Sequence, residues 1–131
     1  MDENTQRKID ELTELLKQTA NGKCAIELAG AHAKGTADAA SDIDFYLFAQ
    51  EAKPYEERKR LICSAADAGT EPWLDLSFDA TPWGGTMDFM YRGTPIETTA
   101  RTISMMDRVV TDCLNGKFEI IPATWPSNGY Y

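Results

Sequence analysis

The sequence predicts an α/β (α+β) fold: a mixed β-sheet of about five strands with helices packed mainly on one face. Three observations carry this. Ile9, Leu12, Leu15 and Leu16 recur at helical spacing. Ile43, Phe45 and Leu47 alternate at strand spacing. The patterns run in the order helix, strand, strand, helix, three strands, helix, which suits one sheet covered by helices.

The elements follow in turn. Thr5 to Gln18 reads as a helix, and Asn21-Gly22 as its stop. Lys23 to Leu28 is a short strand. Ala29 to Ser41 is a glycine-bearing loop with room for a turn of helix. Asp42 to Phe48 is the second strand. Pro54 suits the first position of the next helix, where its missing N–H costs nothing, and that helix runs to about Ala68. Trp73 to Phe78 is a third strand, and Pro82-Trp-Gly-Gly85 a break. Thr86 to Tyr91 and Pro95 to Ala100 flank Arg92-Gly93-Thr94 and read as a hairpin. Ser104 suits the cap of a last helix with Met105, Met106, Val109, Val110 and Cys113 as its buried face, and Asn115-Gly116 ends it. The tail from Lys117 carries Trp125, Tyr130 and Tyr131.

A chain of 131 residues with 43% hydrophobic content suits one domain, residues 1–131, around one core. Its net charge of −8 leaves no basic face, which argues against a nucleic-acid partner and suits a cationic small molecule. Cys24, Cys63 and Cys113 are widely spaced, no C-x-x-C occurs and there is one His, which argues against a zinc site. Cys24 and Cys113 read as small core residues. An odd cysteine count without a signal sequence points to a reducing cytoplasm. No apolar run approaches the roughly 20 residues of a membrane span.

The chemistry concentrates between Leu28 and Phe45. A small-residue turn, Ala29-Gly30-Ala31, follows a strand, and Asp42 and Asp44 open the next. Backbone N–H groups at such a turn can hold phosphate. Carboxylates at i and i+2 share one strand face, their Cα atoms roughly 6.5 Å apart. Hard cations such as Mg²⁺ bind few carboxylates and complete their shell with substrate phosphates, so loop and pair together read as a nucleotide site. An EF-hand fails on its required offsets from Asp38 or Asp42. A phosphatase nucleophile fails because the pair begins its strand and Tyr46 stands two residues after it. A Walker loop fails because Lys34-Gly35-Thr36 inverts the required order.

Gly30-Ala31, Ala33-Lys34-Gly35 and Ser41-Asp-Ile-Asp-Phe45 resemble the pattern of the nucleotidyltransferase superfamily of the DNA polymerase β type, typically Gly-Ser, Ala-Arg-Gly and Ser-Asp-Ile-Asp-Leu. The resemblance covers Leu28 to Phe48 closely. It extends more loosely to about Tyr131 in the subgroup similar to lincosamide and aminoglycoside nucleotidyltransferases. It implies Mg²⁺-dependent transfer of a nucleoside monophosphate from an NTP, ATP first, to a hydroxyl-bearing small molecule, with release of pyrophosphate. Asp42 and Asp44 would hold two Mg²⁺ ions; Gly30, Ala31 and Lys34 would position the triphosphate. Ser41 would order the carboxylates by local hydrogen bonding.

The family adds a third acidic residue on a neighbouring strand. Glu97 matches by position, and Asp88 and Asp75 are rivals if the hairpin register slips. The sequence departs from the pattern at Ala31, where the family's Ser touches phosphate, at Lys34, where Arg is common, and at Glu97, where Asp is usual. Members of the subgroup continue into a helical region, and the resemblance implies a single catalytic domain here without it. The expected partners are a separate helical protein, as in the toxin–antitoxin pairs of the superfamily, or a second copy of the chain. The alternative reading is a regulatory or antitoxin-like nucleotide-binding module with a weakened site. His32 reads as solvent-facing, Arg92 and Arg101 as partners of surface acids, and the Met105–Met106 pair and the tryptophans as core.

Overall fold

The computed structural model describes residues 1–117. Asp2 starts the fold, its carboxylate accepting the Thr5 N–H at 2.8 Å to cap α1 (Glu3–Lys17). Of the predicted stripe Ile9, Leu12 and Leu16 are buried and Leu15 is half-buried against the core. Strand β1 (Ala20–Leu28) begins earlier than its pattern indicates. Ala20 and Asn21 pair with Ala52 and Glu51 beyond a bulge between Asn21 and Cys24. The loop after β1 holds one short helix, α2 (Gly30–Lys34). Then come β2 (Ile43–Ala52), α3 (Tyr55–Ala65), β3 (Trp73–Leu74), β4 (Gly85–Tyr91), β5 (Thr94–Thr102) and α4 (Ile103–Leu114).

The five strands form one mixed sheet in the order β1-β2-β5-β4-β3. The β2–β5 pair is parallel and the others are antiparallel. Ile43, Phe45, Leu47 and Ala49 of β2, Ile96 and Ala100 of β5, and Met87 and Phe89 of β4 turn to one face. There they meet Leu12 and Leu16 of α1 and Ile62 of α3 in a single core. Each large aliphatic or aromatic side chain buried there contributes about 1.5–3 kcal/mol. Among the described residues, no helix is long and apolar enough to cross a membrane.

Four local expectations are corrected. The third strand stops at Leu74, not Phe78. Arg58, buried under it, donates from Nη2 to the carbonyls of Asp75 and Leu76 at 3.2 and 2.7 Å, taking acceptors a longer ladder would use. Helix α3 ends at Ala65 because Ala66 is extended. This brings the Asp67 carboxylate to the hairpin turn, where it accepts the N–H groups of Arg92 and Gly93 at 2.6 and 2.7 Å. Thr102, not Ser104, caps α4, accepting the Met105 N–H at 3.2 Å. Of the five residues expected on the buried face of α4 only Met105 is buried; Val110 and Cys113 are exposed. Cys24 is half-buried at the margin of the core. Trp125, Tyr130 and Tyr131 lie outside the described residues.

Candidate metal centre

Strand alternation builds the site. Burying Ile43 and Phe45 turns Asp44 to the opposite face of β2, and burying Ile96 and Thr98 does the same for Glu97 on β5. The parallel register sets Asp44 directly beside Glu97. Asp42 sits immediately before β2. One carboxylate oxygen from each of Asp42, Asp44 and Glu97 lies within 4.8 Å of the others. The two aspartates are half-buried and Glu97 is exposed. None of the ion pairs Lys17–Glu14, Lys53–Glu57 and Arg92–Glu11 includes a member of this group.

Gathering these charges perturbs them. Burial raises the pKa of the Asp44 carboxyl, and the Asp42 charge raises it further, while His32 acts in the opposite direction. Burial likewise raises Glu97, with the charges of Asp42 and Asp44 adding to it. A donor set of this kind, all carboxylate oxygen and mutually repelling, fits a hard divalent cation.

Gly30 abuts the site at Asp44. Its φ is +60°, and a Cβ there would stand 1.7 Å from Asp44 Oδ2. The Ala29 N–H bonds the Asp44 carbonyl at 2.9 Å. The glycine therefore serves both a left-handed backbone and a close approach, as only glycine can. Gly30 and Ala31 are the first residues of α2, and Gly35, with φ +72°, is its cap.

Of the remaining expected residues, Lys34 is exposed at the last position of α2. Ser41 does not order Asp42 or Asp44. Its hydroxyl donates to Asp38 Oδ1 at 2.9 Å and accepts the Asp38 N–H at 2.9 Å, closing a local turn. The Ser41 hydroxyl, and after it the Ala40 N–H, hold the Asp38 carboxyl below the usual range.

The three candidates for the third acid separate by their partners. Asp75 is committed to the β4 backbone, accepting the Thr86 N–H at 2.9 Å. Asp88 accepts the Thr98 N–H at 3.1 Å, inside the β4–β5 ladder. Its pKa is pushed up to about 6, chiefly by burial, with the charges of Glu97, Asp75 and Asp44 adding and the Thr98 bond opposing. Glu97 alone of the three joins Asp42 and Asp44.

Two residues carry more than their sequence context signals. Arg58, in the charged run Glu56-Glu57-Arg58-Lys59-Arg60, stacks 5.2 Å from the Phe78 ring centroid and anchors the Asp75 loop. Nothing in that run distinguishes it. Arg101 is buried: it stacks 5.3 Å from the Tyr46 ring and donates from Nε to the Trp83 carbonyl at 2.6 Å. Arg92 does pair with a surface acid, Glu11, at 2.9 Å.

A cleft of about 520 Å³ lies between the start of α1 and the loop leading into β2, lined by Lys8, His32, Asp38, Ser41 and Thr94 among others. None of the three clustered carboxylates lines it. His32, half-buried, borders the cleft. Comparison with protein-family models and with curated proteins finds no match to this chain.

Proposed function

We propose that this domain is a Mg²⁺-dependent nucleotidyltransferase, moving a nucleoside monophosphate from an NTP, ATP first, to a hydroxyl of a small acceptor and releasing pyrophosphate. The observation that carries the reading is the meeting of Asp42, Asp44 and Glu97 within 4.8 Å, beside a glycine that abuts Asp44. Those are the acids that the resemblance to the superfamily singles out.

In this reading Asp42 and Asp44 hold two Mg²⁺ ions, and Glu97 holds the acceptor-side ion or takes the acceptor proton. Bound Mg²⁺ supplies charge neutralisation on the triphosphate and lowers the pKa of the attacking hydroxyl. The chain's own contribution is placement. Gly30 and Ala31 bring backbone to the phosphates, Lys34 adds a point charge, and the sheet holds the carboxylates together and fixed. The net charge of −8 favours a cationic acceptor. Such chemistry suits the cytoplasm, and the three cysteines are free.

Ala31 favours a second reading, binding without turnover, because it offers phosphate no hydroxyl. Loss of one such hydrogen bond costs roughly 0.5–1.5 kcal/mol.

The test is calorimetric titration with a non-hydrolysable ATP analogue, with and without Mg²⁺, on the unmodified protein and on an Asp42→Asn/Asp44→Asn variant. Mg²⁺-dependent binding that the variant loses supports the nucleotide site, and turnover with an acceptor then separates the two readings. No binding by the folded protein overturns both.

A further inference from the structure

Strand β1 ends the sheet, and among the described residues no strand pairs with its outer edge. Such an edge presents unpaired N–H and C=O groups to any strand that can match it. The groups that face outward can be identified. The Ala29 N–H bonds the Asp44 carbonyl, so the backbone of Ala29, Glu27 and Ala25 turns inward to β2. The backbone of Leu28, Ile26 and Cys24 turns outward. Their side chains are half-buried at the core margin, while Lys23, Ala25 and Glu27 are exposed on the other face.

We propose that β1 is a self-pairing edge, joining two copies of this chain antiparallel about a two-fold axis at Ala25. In that register Ala25 meets Ala25, Lys23 of each copy meets Glu27 of the other, and Cys24 meets Ile26. Both salt pairs fall at non-hydrogen-bonded positions, where opposing side chains approach most closely, and the small Ala25 allows the approach at the axis. The outward backbone of Cys24 and Ile26 supplies the hydrogen-bonded pair between them. Registers centred on Lys23 or Glu27 set like charges opposite each other, and one centred on Ile26 pairs neither charge. The contact is isologous and closes on itself. It joins two sheets into one of ten strands, doubling the five of each copy, with both carboxylate clusters on the same side. The inference is independent of what that cluster does.

Sedimentation equilibrium of the full chain, up to on the order of 100 µM, tests it. A dimer is expected. Glu27→Lys, which sets lysines opposite each other at both pairs, should weaken it at least about tenfold. Lys23→Glu combined with Glu27→Lys should restore it. A second test places a cysteine on the axis. Ala25→Cys, in a Cys24→Ser/Cys63→Ser/Cys113→Ser background, sets two thiols on Cα atoms about 4.5 Å apart, within disulfide reach, and should cross-link on mild oxidation. A monomer at every concentration, a dimer indifferent to Glu27→Lys, or a folded Ala25→Cys variant that does not cross-link overturns the proposal.

Discussion

Asp44 stands beside Glu97 across the parallel β2–β5 ladder, while Gly30 abuts the same Asp44 carboxylate. One aspartate is thus held between a neighbouring strand and the turn that follows β1. Its main chain takes part as well, through the bond from the Ala29 N–H to the Asp44 carbonyl. Perturbing any member of this set should register at the others.

Gly30→Ala tests the close approach. The new Cβ would meet Asp44 Oδ2 at 1.7 Å on a backbone with φ +60°. Left-handed strain alone costs about 1–3 kcal/mol, and relief of the clash must move Asp44. Thermal melting should show the destabilisation, and Mg²⁺ titration of the folded variant should show weakened binding. A variant equal to the parent in both would mean that the turn does not hold Asp44.

Mg²⁺ should stabilise the fold through the three carboxylates. At a tenfold excess over its dissociation constant the gain is about 1.4 kcal/mol, by mass action alone. Asp42→Asn/Asp44→Asn should abolish this rise in melting temperature. A rise that persists in the variant would place the bound ion elsewhere.

Asp88 predicts a pH dependence. An acid whose native pKa lies above its unfolded value binds more protons when folded, so stability falls as pH rises between the two. For Asp88 that window runs from about 4, the ordinary carboxyl value, to about 6. Asp44 and Glu97, raised in the same direction, act with the same sign. Asp88→Asn keeps an acceptor for the Thr98 N–H and removes the charge. It should stabilise the protein above pH 6 by on the order of 1 kcal/mol, a figure discounted because the carboxyl is partly solvated, and should change little near pH 4. Denaturant unfolding of variant and parent at both pH values measures it; a difference between them that does not change with pH would refute the buried charge.

Arg58→Ala should be the most destabilising of these changes, by about 3 kcal/mol. It leaves the carbonyls of Lys53, Asp75 and Leu76 without their donor and removes the stack on Phe78. Arg58→Lys should rescue little, since an ammonium cannot reproduce the guanidinium fork. Chemical denaturation of the two variants checks this.

Sequence periodicity determined most of the architecture. The stripe Ile9-Leu12-Leu15-Leu16 and the alternation Ile43-Phe45-Leu47 each allow only one element type to bury their apolar residues, and all are buried but Leu15, which is half-buried against the core. The turn at Arg92-Gly93 and the clustering of Asp42 with Asp44 were legible for the same reason, since both follow from local chain geometry. Tertiary structure alone decided the rest. Which of Glu97, Asp88 and Asp75 joins the aspartates depends on the register of β5 against β2, a pairing between distant segments that no local pattern specifies. The early end of β3, the reassignment of Ser41 to Asp38, and the burial of Arg58 and Arg101 likewise arise from partners brought together only by folding. Side-chain period is a property of neighbours in the chain, whereas burial and charge proximity are properties of neighbours in space.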